Sequence, residues 1–177
     1  MRRASRAGTT LVGTVLAASL AIVVLGAGLR LVQSHSNLAE SADAGDTAAR
    51  RTERVLVAFE DAVRSGSLAQ FTHVDGTAFT AGTSDDGVSG KRAVGYRGAP
   101  ILSARFKIWW APDASGTSGD VLRSQGGVTE VVAHGVDRFR VTRSAGAFTA
   151  SVTSRVTTNG TFDRAVRGSA TQIPRNP

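Results

Sequence analysis

Residues 11–29 read LVGTVLAASLAIVVLGAGL, a run of nineteen residues without a charge. Ten of them are Leu, Ile or Val, and only Thr14 and Ser19 are polar. As a helix with a rise of about 1.5 Å per residue, this run would span about 28 Å, close to the roughly 30 Å hydrocarbon core of a bilayer. The sequence therefore predicts a membrane-spanning helix over residues 9–32.

The charges on either side of this run predict its orientation. Arg2, Arg3 and Arg6 precede it, whereas Arg30 follows it alone. Because positive residues favour the cytoplasmic side, we expect a single-pass cell-membrane protein with a cytoplasmic N-terminus and an extracytoplasmic C-terminal domain. The alternative is a cleaved secretory signal peptide, for which Gly26-Ala27-Gly28 is the nearest approach to a cleavage site. The run is longer than an ordinary signal-peptide core, which favours the anchor.

Small residues recur along the apolar run. Thr9, Gly13, Ala17 and Ala21 are spaced by four and therefore share one side of a helix. Ridges of this kind let helices approach closely in lipid, where packing drives association. The alternative is chance in a segment rich in Ala and Gly.

The net charge of +7 does not point to one partner, because it is unevenly distributed. Residues 31–90 carry four Arg and nine acidic residues, and residues 91–177 carry thirteen basic and five acidic residues. The basic side chains Arg138, Arg140 and Arg143 could line one sheet face and contact DNA phosphates, or could simply be solvated. The chain contains no Cys, which excludes disulfides, thiolate metal ligands and cysteine nucleophiles.

Residues 33–66 predict an extracytoplasmic helical stem that becomes amphipathic. Apolar or small residues recur at spacings of three and four, and Gly66 suits the end of the helix. The predicted stripe consists of Ala49, Thr52, Leu56, Phe59 and Val63, broadened by Val55 and Ala62. A kink or break is expected within residues 36–48, where Asp43, Gly45 and Asp46 weaken a helix.

Residues 67–177 predict a β-rich globular head. Alternation of apolar and polar residues marks strands over 102–110, 138–142 and 148–156. Asp75-Gly76 predicts a hairpin turn between 70–74 and 77–80, and residues 84–90 and 113–120 predict loops. Asn159-Gly160 predicts another turn. The expected fold class is α+β, a long N-terminal helix packed on an antiparallel β-sheet, with Trp109 and Trp110 on opposite faces.

Few residues suggest chemistry. His35, His73 and His134 are far apart in sequence and are expected to be ordinary surface histidines. Asp85-Asp86-Gly87 could bind calcium but is more typical of a solvated turn. No catalytic constellation is present, so we expect no enzyme activity, no cofactor, no metal site and no small-molecule substrate.

Residues 6–12, RAGTTLV, resemble the prepilin cleavage segment of type IV pilins and type II secretion pseudopilins, in which a basic leader ends in Gly. Asp61-Ala62-Val63-Arg64, residues 131–141 and the terminal IPRNP are similar to segments of PilW-like and J-type minor subunits. This family has a ladle-like fold. The sequence departs from the family pattern at Thr9, where Phe or Met is usual, and at Gly13, where the family has Glu.

The resemblance implies a specific role. Residues 1–8 would be a leader that prepilin peptidase removes between Gly8 and Thr9, and Thr9 would then be N-methylated. Gly13, Ala17 and Ala21 would pack against other pilin or pseudopilin subunits. Because the family Glu balances a neighbour's terminal amine, Gly13 suits a minor subunit near a filament tip. The alternative from another class is a membrane-tethered extracytoplasmic binding protein unrelated to pili.

Overall fold

The computed structural model describes residues 6–97, 100–158 and 162–174. Contacts divide the chain into two compact units, Met1–Ala42 and Asp43–Pro177. One helix, α1, covers Arg6–Ser65, and a short 3-10 helix follows at Leu68–Gln70. The strands are β1 (Ser84–Asp85), β2 (Gly87–Tyr96), β3 (Pro100–Pro112), β4 (Gly119–Gln125), β5 (Val128–Ser144), β6 (Ala147–Thr158) and β7 (Phe162–Gln172). The α+β class with an antiparallel sheet is confirmed.

A kink or break was expected within residues 36–48, but the helix α1 is unbroken from Arg6 to Ser65, so the prediction of a break is wrong. Ala44 and Ala48 are buried, and Asp46 pairs with Arg50 one turn later at 2.8 Å. Burial of these alanines and the pairing along the helix outweigh the low helix propensity of Gly45 and its neighbours. The helix ends where Gly66 was expected to end it.

The described strands form one antiparallel sheet in the order β2-β3-β4-β5-β6-β7. β1 lies off this path and pairs with β5, although only Asp86 separates it from β2. The outer edge of β2 is covered, because Thr72 exchanges backbone hydrogen bonds with Ser89 at 2.8 and 2.9 Å. Gly126 and Gly127, both with positive φ, form the tight turn between β4 and β5.

The core lies between the end of α1 and one face of the sheet. Val55, Phe59 and Val63 are fully buried, and the Phe59 ring meets Phe139 edge to face with centroids 6.5 Å apart. Thr52 and Ala62 are also buried, as predicted. Two details of the predicted stripe differ. Ala49 is exposed and Ala48 takes its place, while Leu56 is only partly buried.

The helix approaches the sheet closely at Gly168 of β7. A Cβ atom at this position would lie 2.6 Å from Cγ2 of Thr52 and 3.0 Å from Cδ1 of Leu56. Beside this contact, the buried Thr52 hydroxyl donates a hydrogen bond to the Ser154 hydroxyl over 3.1 Å. A glycine is therefore favoured where α1 crosses β7.

The strands over 102–110, 138–142 and 148–156 are confirmed, but three predictions about the head need correction. The hairpin around Asp75-Gly76 is only a turn with a single bridge between Thr72 and Ala78. Residues 84–90, predicted as a loop, form β1 and the start of β2. The predicted loop 113–120 ends at residue 118, where β4 follows. The turn predicted at Asn159-Gly160 lies outside the described residues.

Candidate functional site

The first functional candidate is the apolar stretch of α1. Every residue from Thr10 to Leu29 is exposed, and Leu20, for example, has 68% of its surface accessible. Among the described residues, α1 is the one helix long and apolar enough to cross a membrane. A helix that is apolar on all sides needs an apolar environment, so this finding is consistent with a single-pass membrane protein.

The hydroxyl groups of the two polar residues in this stretch are hydrogen-bonded to the backbone of the same helix. Thr14 Oγ1 donates to the Leu11 carbonyl and Ser19 Oγ donates to the Val15 carbonyl, each over 2.8 Å. Internal hydrogen bonds of this kind lower the cost of placing a hydroxyl in hydrocarbon. The stretch therefore presents almost no unpaired polarity to lipid.

The residues predicted for processing and packing all lie on α1. Gly8 and Thr9 belong to its first turns, where the backbone is helical. Gly13, Ala17 and Ala21 are exposed, and a Cβ atom at Gly13 would meet nothing within 4 Å. Residues spaced by four in an α-helix drift by about 40° per step, so these three share one side of the helix.

The second candidate is a groove beside the last turns of α1. Val57 and Ala58 of α1 and Val132 of β5 form its apolar lining, and its volume is ≈ 550 Å³. Charged side chains surround it: Glu53, Arg54, Asp61, Arg123 and Glu130. Arg123 bridges the two sides, because it lies 2.6 Å from Glu130 and 3.8 Å from Asp61. The groove could hold an apolar segment of a partner.

The third candidate is the outer face of β3. Trp110 packs against the core and donates from Nε1 to the Val136 carbonyl over 2.9 Å. Trp109 lies on the opposite face, where the Lys107 ammonium stands 4.6 Å from the ring centroid. The prediction that the two tryptophans occupy opposite faces is confirmed. Trp109 is therefore available for contacts outside the head.

His73 differs from the expectation of an ordinary surface histidine. Only 16% of its side chain is exposed, and its ring stacks on Phe79 with centroids 4.0 Å apart. Nδ1 of His73 lies 3.2 Å from Asp85 Oδ2, which also accepts from the Val74 amide over 2.8 Å. These contacts fix residues 73–85 against the sheet. His134 is exposed and pairs with Asp120 at 2.9 Å.

Asp85 and the arginines Arg138, Arg140 and Arg143 were the candidates for calcium and DNA contact, respectively. Asp85 is already engaged by His73 and Val74, and no cluster of three potential metal ligands occurs within the described part of the chain. Arg138 and Arg140 are exposed, but Arg143 lies on the other face, over the Phe148 ring at 5.7 Å. The three arginines therefore do not form one surface.

Asp113 organises the loop between β3 and β4. Its carboxylate accepts from the hydroxyls of Ser115 and Ser118, each over 2.6 Å, and from the Gly116 amide over 2.9 Å. The hydrogen bonds from Ser115 and Ser118 lower the pKa of Asp113 to about 2. This loop is a self-contained structural element.

Comparison with protein-family models, curated proteins and solved structures finds no match to this chain. The class of the protein is therefore defined by its geometry alone. It is an α+β protein in which one helix begins with an exposed apolar stretch, long enough to cross a membrane, and ends packed on an antiparallel sheet.

Proposed function

We propose that this chain is a minor pilin or pseudopilin, a structural subunit of a type IV pilus-like or type II secretion-like filament. Prepilin peptidase cuts between Gly8 and Thr9, and Thr9 becomes the N-methylated first residue. The apolar helix holds the subunit in the cell membrane, with the head outside, until the subunit enters a filament. There Gly13, Ala17 and Ala21 pack against neighbouring subunits.

The observation that carries this proposal is the continuity of α1. One helix holds both the exposed apolar stretch and the buried stripe of Val55, Phe59 and Val63 under the sheet. A subunit of this kind carries its assembly segment and part of the core of its head on one helix. The resemblance of residues 6–12 to a prepilin cleavage segment adds the processing step.

A position near the filament tip follows from Gly13. In a repeating subunit an acidic residue at this position would balance the terminal amine of the next subunit. Glycine offers no such charge, so many successive copies would bury unpaired ammonium groups. A subunit that occurs once or a few times avoids most of that cost.

The processing step is tested by producing the chain together with a prepilin peptidase. We expect the mature wild-type protein to begin at N-methylated Thr9, read by N-terminal sequencing and intact mass. Gly8→Ala should abolish the cleavage. Gly13→Ala, a matched change outside the cleavage site, should be processed like the wild type.

Two results would count against the proposal. Equal cleavage of Gly8→Ala and wild type would remove the pilin assignment while leaving the membrane helix intact. A mature protein that begins beyond Gly28 would show that the apolar run is a removable signal peptide.

A membrane-tethered binding protein is the second candidate, and the groove beside Val57 and Val132 favours it. Its apolar lining and charged rim suit an apolar ligand or partner segment. Such a protein would remain uncut by prepilin peptidase, so the same experiment separates the two functions. DNA contact has weaker support, because Arg143 does not join Arg138 and Arg140.

A further inference from the structure

Three cations lie together on the outer face of β2 and β3. Lys91 of β2 is directly opposite Arg105 of β3, and Lys107 follows two residues later on the same face. None of the three forms an ion pair with a described residue. Like charges directly opposite each other destabilise a sheet, so this arrangement suits an external anion.

An apolar row runs beside these cations. Trp109 is directly opposite Leu122 of β4, and Leu122 is directly opposite Val131 of β5, which is 45% exposed. Side chains of directly paired residues share a face of the sheet. We call this surface the Trp109 face, defined by Lys91, Arg105, Lys107, Trp109, Leu122 and Val131.

The two nearest acidic groups on β4 and β5 contact other residues. Asp120, on the same strand as Leu122, lies 2.9 Å from His134. Glu130 pairs with Arg123 at 2.6 Å. Neither carboxylate forms an ion pair with a cation of the Trp109 face.

We propose that the Trp109 face docks the head onto an anionic lipid surface. Lys91, Arg105 and Lys107 contact lipid phosphates, and Trp109 enters the headgroup region with Leu122 and Val131 beside it. Tryptophan prefers this region because its ring is apolar and its N–H is polar. The Lys107 ammonium, held over the ring, remains at the level of the phosphates.

The choice of lipid as the occupant follows from the chain itself. The membrane helix keeps the whole chain at a bilayer, so even weak contacts with lipid are populated by effective concentration. A mixed aromatic, aliphatic and cationic surface complements anionic headgroups above hydrocarbon. The inference rests on the membrane anchor of the proposed function and is independent of prepilin cleavage.

The test uses the full chain reconstituted in vesicles of phosphatidylcholine, with or without phosphatidylglycerol, containing a lipid with a nitroxide on its headgroup. The signal is the tryptophan quenching that Trp109→Phe removes, which isolates Trp109 from Trp110. We expect this quenching in phosphatidylglycerol vesicles, little in pure phosphatidylcholine, and a loss in high salt.

The decisive variant is Lys91→Gln/Arg105→Gln/Lys107→Gln. Each basic residue near an anionic surface contributes about a fivefold factor to the docking equilibrium, so the docked-to-undocked ratio should fall on the order of 100-fold. Arg50→Gln/Arg54→Gln/Arg64→Gln removes the same charge from exposed positions of α1, on the opposite side of the sheet. This control should retain the quenching.

Three outcomes would overturn the inference. The quenching of Trp109 could be the same with and without phosphatidylglycerol, it could be unchanged in high salt, or it could fall equally in both triple variants. Self-association in neutral bilayers that the first triple variant abolishes would assign the face to a second copy instead. Alkaline carbonate extraction is measured in parallel. A protein that stays in the membrane but is not quenched contradicts docking alone, whereas one that is extracted contradicts the anchor and with it tethered docking.

Discussion

The two stretches of α1 differ in how apolar side chains are distributed around the helix. Between Leu11 and Leu29 the helix is apolar on every side and every residue is exposed. Between Asp43 and Ser65 it is amphipathic, and only one stripe is apolar and buried against the sheet. The same backbone geometry thus serves two environments. The distribution of side chains around the helix decides which environment each stretch requires.

This difference has a consequence for stability. The free energy of unfolding of the head depends on side chains in the second stretch, because they occupy a close-packed core. Side chains in the first stretch are exposed and lie outside this core. A substitution in the second stretch should therefore lower the free energy of unfolding of the head. A substitution of similar size in the first stretch should leave it unchanged.

The largest expected effect comes from a pair of truncations. Phe59→Ala empties the centre of the core and should lower the free energy of unfolding by about 3–5 kcal/mol. Leu20→Ala shortens an exposed side chain outside this core and should leave the free energy of unfolding of the head unchanged. Denaturant unfolding of the full chain in micelles, followed by tryptophan fluorescence, measures both. An equal loss from Leu20→Ala would contradict the separation of the two stretches.

A smaller effect is expected where α1 crosses β7. In Gly168→Ala the new Cβ would meet Thr52 Cγ2, and Thr52 cannot rotate away without losing its hydrogen bond to Ser154. We expect a loss of about 1–2 kcal/mol in the free energy of unfolding. Gly146→Ala is the matched control, because a Cβ there meets nothing within 4 Å. If both variants unfold at the same denaturant concentration, the close approach is not a constraint.

Much of the fold could be predicted from periodicity. Alternation around Phe106 and Ile108 located β3, and spacings of three and four around Phe59 located the buried stripe. These signals are strong because each buried side chain is apolar and its neighbours are polar. The order of the strands and the pairing of β1 with β5 depend on contacts distant in sequence, and no local pattern encodes them.

The incorrect predictions of secondary structure share a physical cause. Residues 84–90 were predicted to form a loop, and the low strand propensity of Gly87 and Gly90 agrees with that prediction. The sheet selects glycine there, since a Cβ at Gly87 would lie 2.4 Å from the Ile108 carbonyl oxygen. Gly45 was expected to weaken α1, but burial of Ala44 and Ala48 outweighs it. In each case tertiary packing overrides a local preference.

The candidate sites were predicted to different extents. The apolar run and the small residues Gly13, Ala17 and Ala21 are visible in the sequence, because a helix places them by spacing alone. The Trp109 face was only partly visible. Alternation placed Trp109 opposite Trp110, but only the strand register brings Lys91 next to Arg105 and Leu122 next to Val131. The contact of His73 with Asp85 likewise depends on how residues 73–85 fold back.

The smallest expected effect uses acid to separate the two regions, because residues 11–29 contain no titratable side chain. In the head, the pKa of Asp113 is lowered from 3.8 to about 2 by hydrogen bonds from Ser115 and Ser118. A lowered folded-state pKa contributes stability that is present above the unfolded value and is lost as the pH falls from about 4 to about 2. The denaturant midpoint of the head should therefore decrease over this range, and Asp113→Asn should reduce the decrease because its amide has no charge to lose. Extraction of the chain from the bilayer should not change over the same range. A midpoint with the same pH dependence in Asp113→Asn and wild type would show that other carboxylates govern the acid response.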